Sequence, residues 1–170
     1  MASRFLTFPN PVNEYAARST AGLVVILAVV TIAVNSWWLY AALVIGFALR
    51  VAAGPTLSPF GRLSVHVIVP ALGKTRMVPG PPKRFAQTIG LVITGAGLIL
   101  HVLGVTPADR IVVGLVVIAA LLESVFGICL GCIVFGFLQR RGVIPASVCE
   151  ACAGVRTDAP KLQVPTPHPR

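Results

Sequence analysis

Four apolar runs, each close to the length a helix needs to cross a bilayer, restrict this 170-residue chain more than any other feature. They cover residues 16–34, 37–53, 85–105 and 111–138. Only 11% of the chain is charged, where a soluble domain carries about 25%. Mean hydropathy is +0.88. A small polytopic membrane protein fits this; a soluble enzyme does not. No cleavable leader is expected, because Pro9, Asn10, Pro11, Asn13 and Glu14 precede the first run.

Punctuation between the runs sets the expected architecture. Asn35-Ser36 is a tight turn. Trp37, Trp38 and Tyr40 then open the second run as an interfacial aromatic belt, and Arg50 near its other end is expected to snorkel to headgroups. Thr106 to Arg110 is short enough that the fourth run returns antiparallel to the third. The fourth run exceeds what a core of about 30 Å requires, so it tilts, protrudes or breaks near Gly127, Gly131 or Gly136. The expected fold is therefore all-α, with four transmembrane helices as two antiparallel hairpins.

The connector from Gly54 to Lys83 is rich in proline and basic residues. Its apolar piece, Leu63 to Leu72, is too short to span, and reads as an interfacial or re-entrant segment or a short helix packed on the bundle. Pro70 opposes a long helix there, and Val78 to Lys83 reads as extended or turn-like. Residues 1–15 form an N-terminal segment, 16–140 the membrane domain, and 141–170 a polar tail, with Asp158 to Arg170 expected to be disordered.

Four spans put both termini and the connector on one side, with thirteen of the fourteen Lys and Arg residues; Arg110 is alone on the other. That asymmetry puts the termini in the cytoplasm and the chain in the cell membrane. Arg84, Arg140 and Arg141 fall at the membrane interface. The net charge of +9 reads as topology signal against the lipid bilayer rather than as a nucleic-acid surface, since no aromatic–basic interleaving accompanies it.

All four cysteines fall in two Cys-x-x-Cys pairs, Cys129/Cys132 at the end of the fourth run and Cys149/Cys152 in the tail. Two sulfurs three residues apart can face each other, which suits thiol–disulfide exchange, sulfur transfer or part of a metal site. On an unbroken helix Cys129 and Cys132 would lie about 60° apart in azimuth, at the cytoplasmic interface, with Gly131 letting the pair open. The whole pattern, C-x2-C-x16-C-x2-C, also falls within zinc spacing. The apolar flanks of the first pair oppose thiolate ligands there. Cysteine as a small apolar packing residue is the third reading.

Glu123 is the one acid inside the runs, around mid-span, and so a candidate polar site. On an unbroken helix it would lie opposite Cys132, on a small face with Ala119, Ala120, Gly127 and Gly131 suited to close packing, its carboxyl hydrogen-bonded within the bundle. His101 lies near the outer end of the third run and reads as a packed or interfacial residue. No phosphate-binding loop, dinucleotide motif, serine triad or zinc-protease motif occurs.

Pro81 to Gln87 (PPKRFAQ) and Phe126 to Cys132 (FGICLGC), with Asn10-Pro11 and Ser58 to Leu63 (SPFGRL), resemble the bacterial integral-membrane family called domain of unknown function 4395. The resemblance runs from about residue 8 to 140. It implies an uncharacterised membrane protein with a Cys-x-x-Cys, often accompanied by thioredoxin-like and rhodanese-type sulfurtransferase proteins. Thiol or sulfur chemistry at Cys129 and Cys132 follows by association. Cys149 and Cys152 match no part of the family pattern.

The functional expectation is a thiol–disulfide or sulfur-relay component. Cys129 forms the mixed disulfide or persulfide, Cys132 resolves it, and Cys149/Cys152 relay to a soluble thioredoxin-like or rhodanese-type partner. The rival is a non-catalytic subunit or assembly factor of a larger membrane complex, its cysteines structural or zinc-binding. Transport of a small sulfur species is the weakest of the three, because no broken-helix repeat occurs in corresponding halves.

Overall fold

The computed structural model describes residues 8–73 and 76–149, and these are mostly helical. Helix α1 spans Glu14–Val34, α2 Trp37–Ala53, α3 Pro59–Leu72, α4 Gly80–Val102, α5 Ala108–Phe126 and α6 Leu130–Arg140. Asn13 caps α1 by accepting from the Tyr15 N–H, and Glu14 complements the helix dipole in the first turn. Asn35 ends α1 in the left-handed conformation (φ 53°) that turns the chain directly into α2.

Four helices form the bundle. Helix α1 packs chiefly on α5, and α2 chiefly on α4, which also packs on α5. The core between them holds Val24, Tyr40, Leu43, Phe47, Val113 and Val116. Ile26, Ile45, Val92, Ile99, Ile111 and Ile118 point outward, leaving an apolar exterior that suits hydrocarbon. By length and composition α1 and α4 can each cross a membrane, and so can α5 taken together with α6. Helix α2 is apolar but, at 17 residues, shorter.

One sequence expectation gives way in the connector. Pro81 and Pro82 are not extended: α4 starts at Gly80 and holds them in its first turn, where a missing N–H costs no hydrogen bond. Pro70 does limit α3: a π turn over Ser64–Ile68 precedes it, and the helix ends two residues beyond it at Leu72, with Gly73 in the left-handed conformation as its cap. This helix packs on α1, where Thr20 donates to Ser64 Oγ at 2.9 Å. A two-residue antiparallel ladder, β1 (Val12–Asn13) with β2 (Met77–Val78), also ties the N-terminal segment to the connector. Arg76 pairs with Glu14 at 3.1 Å beside it, and the Gly80 N–H donates to Asn10 Oδ1.

The fourth run breaks at Gly127, the first of the three glycines expected to break it. A π turn over Leu122–Phe126 ends α5, Gly127 takes φ +71°, and α6 leaves at 93°. Arg18 of α1 secures the corner, donating to the carbonyls of Ser124 (3.2 Å) and Val125 (2.7 Å) that the broken helix leaves over. Gly131 neither opens the cysteine pair nor shares a small face with Gly127. It lets α6 lie against α4, where a Cβ would come within 2.5 Å of Ala86 Cα. Gly131→Ala is therefore expected to destabilise by about 1–3 kcal/mol. Gly136→Ala, with nothing within 4 Å of the new methyl, gains helix propensity instead. Thermal unfolding of the two variants in detergent, with opposite signs, checks this.

Candidate functional site: a disulfide at the helix break

The break changes how the first cysteine pair is held. Cys129 and Cys132 do not share an unbroken helix. Cys129 is extended (φ −93°, ψ 101°) and caps α6, its sulfur accepting from the Cys132 N–H at 3.3 Å. The two cysteines are joined as a disulfide, with Cα atoms 5.2 Å apart. Cys129 is 8% exposed, whereas Cys132 is only partly buried. A helix N-terminus is where a cysteine sulfur is best supported as a nucleophile once reduced.

Beside Cys129 a cavity of about 320 Å³ opens among α1, α2, α4, α5 and the start of α6. Its walls are mostly apolar, including Val24, Phe47, Leu115 and Val116. Four polar or sulfur side chains line it: Arg50, Gln87, Glu123 and Cys129. The bend thus puts Glu123 and Cys129 on one cavity, where an unbroken helix would have set them on opposite faces. Glu123 lies in the closing turn of α5 rather than at mid-span.

Its partner is a cation. Lys83 Nζ donates to Glu123 Oε1 at 2.6 Å, and Lys83 is 7% exposed. Arg50 does not snorkel. It is 5% exposed, with Nε donating to the Gly46 carbonyl at 2.9 Å and the guanidinium 4.1 Å above the Phe47 ring. Glu123 also acts on it electrostatically. Among the described residues Lys83 is the cation in contact with Glu123. Among the described residues Gln87 Oε1 is buried without a hydrogen-bond partner.

The other predicted basic residues lie outside. Arg84 donates to the Val51 carbonyl and Arg140 to that of Gly136, and Arg141 sits over Phe137; all three are exposed. Cys149 is buried and disulfide-bonded, and its carbonyl accepts from Gln139 of α6 at 3.1 Å. Cys152 lies outside the described residues. Among the described residues no three His, Cys, Asp or Glu side chains group to hold a metal ion.

A second polar cluster, absent from the sequence reading, lies at the other end of α5. Asp109 is completely buried. It accepts from Tyr40 Oη (3.2 Å) and the Arg110 N–H (2.8 Å), and lies 3.0 Å from His101 Nδ1. The His101 ring stacks on Tyr40. The missed signal was available: Asp109 lies in the first turn of an apolar helix, where a carboxylate complements the helix dipole whether it faces the interior or water. Arg50, Lys83 and Gln87 carried a signal too, because a carboxylate within an apolar run calls for a cation at its depth.

A helical bundle with membrane-length apolar helices and a Cys-x-x-Cys disulfide at a broken helix is the class these features define. The chain belongs to the family described as Domain of unknown function (DUF4395), whose model matches residues 12–140. No curated protein and no solved structure matches it.

Proposed function

We propose that the chain is a multi-pass membrane thiol–disulfide component. Helices α1, α2, α4 and α5 cross as four spans, α6 lies along the cytoplasmic interface, and both termini are cytoplasmic. The charge asymmetry and the apolar exterior support this placement. At 19 residues α5 covers about 28 Å, so it can cross without α6.

The observation that carries the chemistry is the Cys129–Cys132 disulfide, one sulfur buried at the cavity and the other partly accessible. A thiolate of a thioredoxin-like partner attacks the accessible Cys132 sulfur. The S–S bond breaks, a mixed disulfide forms and Cys129 leaves as thiolate. The partner's second thiolate then closes its own disulfide and releases Cys132. Two electrons pass from partner to pair. With the pair reduced, the Cys132 thiolate instead attacks the outer sulfur of a rhodanese-type partner's persulfide, forming a persulfide on Cys132 and releasing the partner's cysteine as thiolate. Cys149 and Cys152 are the relay to the soluble phase. The second reading, a subunit of a larger membrane complex with structural cysteines, draws on the disulfide's place across the first turn of α6, where it braces the corner.

Differential alkylation in intact cells, read by mass spectrometry around an oxidant pulse, separates the two. Reversible change at Cys129 and Cys132, and loss of mixed-disulfide trapping in Cys129→Ser/Cys132→Ser, is expected for exchange. Four unresponsive cysteines and unchanged co-purification of a complex would sink it in favour of the brace.

A further inference from the structure

The cavity beside Cys129 is built for an occupant that the thiol chemistry alone does not explain. Its volume falls at the lower end of small-molecule sites, and its walls are apolar. A guanidinium has five N–H donors, and the described residues give Arg50 one hydrogen bond. Gln87 Oε1 is a buried acceptor with no donor among the described residues. The complementary ligand is therefore mostly apolar, carries an electronegative oxygen for Arg50, and can offer an O–H to Gln87.

A sulfur of the disulfide lies on the same cavity, which adds a redox requirement. We propose that the cavity binds the head group of a lipid-soluble quinone that reoxidises the Cys129–Cys132 pair. An acyl chain meets the apolar walls but neither polar group, and it accepts no electrons. A quinone carbonyl oxygen accepts from Arg50, and the hydroxyl formed on reduction donates to Gln87.

The reaction balances as dithiol plus quinone giving disulfide plus hydroquinone. The Cys129 thiolate, at the cavity wall, adds to the quinone ring. Cys132 then attacks the Cys129 sulfur, forming the S–S bond and breaking the sulfur–ring bond. The ring leaves with both electrons, and the two thiol protons end on its oxygens. This inference rests on the pair being redox-active, so its test separates the two ideas.

The full-length protein is placed in phosphatidylcholine nanodiscs free of quinone, pre-reduced, desalted and titrated with decylubiquinone. The expected result is saturable thermal stabilisation, with about one quinone reduced per Cys129–Cys132 pair. Cys129→Ser/Cys132→Ser should keep the binding and lose the reduction. Ala119→Phe, which fills the cavity, and Gln87→Leu should each weaken binding at least tenfold. Arg50→Met should do the same wherever gel filtration shows it folded. If the wild-type protein neither binds nor reduces the quinone yet exchanges disulfides with a soluble dithiol, the quinone site is overturned and the exchange reading stands. Binding undiminished by both Ala119→Phe and Gln87→Leu also overturns it, and so does equal stabilisation by decylbenzene, which marks a mere acyl pocket.

Discussion

Lys83→Met should lower stability by about 3 kcal/mol, because it leaves the mostly buried Glu123 carboxylate without its cation. Glu123→Leu should be as damaging, since Lys83 then lies buried without its anion. The double variant Lys83→Met/Glu123→Leu should recover most of the loss, because an apolar pair of similar volume replaces a buried ion pair at little net cost. Thermal unfolding in detergent of the wild type, both singles and the double closes the cycle. Additive losses, with no recovery in the double, would mean that the 2.6 Å contact contributes nothing.

Asp109→Ala should cost about 3 kcal/mol or more, since the Tyr40 hydroxyl, the His101 ring and the Arg110 N–H lose a common acceptor in a fully buried position. Asp109→Asn keeps an acceptor oxygen at the same place and should cost less than half as much. The same unfolding measurement orders the two. An Asp109→Ala variant within about 0.5 kcal/mol of wild type would show that the cluster is dispensable.

The helices were legible because hydropathy alone marks them: the turn at Asn35-Ser36 and the break at Gly127 both lie where the sequence carries a turn pair or a glycine. The cavity was not. An azimuth argument assumes one continuous helix, and at Gly127 that assumption fails, so Glu123 and Cys129 meet where the arithmetic set them apart. Arg50 misled for a related reason. A cation near a helix end snorkels only where the nearest water is outward, and here Phe47 and Glu123 draw it inward. Family resemblance marked the cysteine block and the PPKRFAQ block separately. It did not indicate that Lys83 and Gln87 of the second face the same region as Cys129 of the first.

Helix α5 carries a buried acid at each end, Asp109 bound by Tyr40 and His101, and Glu123 by Lys83. The two lie about 20 Å apart along the axis. Sliding the helix by one turn, about 5.4 Å, would strip both acids of their partners at once. The helix is thus bolted at two points and cannot work as a piston. Beyond Gly127 no such bolt exists among the described residues; α6 rests on α4 through Gly131 and the Phe85–Phe135 edge contact. Under the proposed exchange, any shift that opening the Cys129–Cys132 bond produces would be delivered to α6, while the four-helix frame and its cavity stay in register.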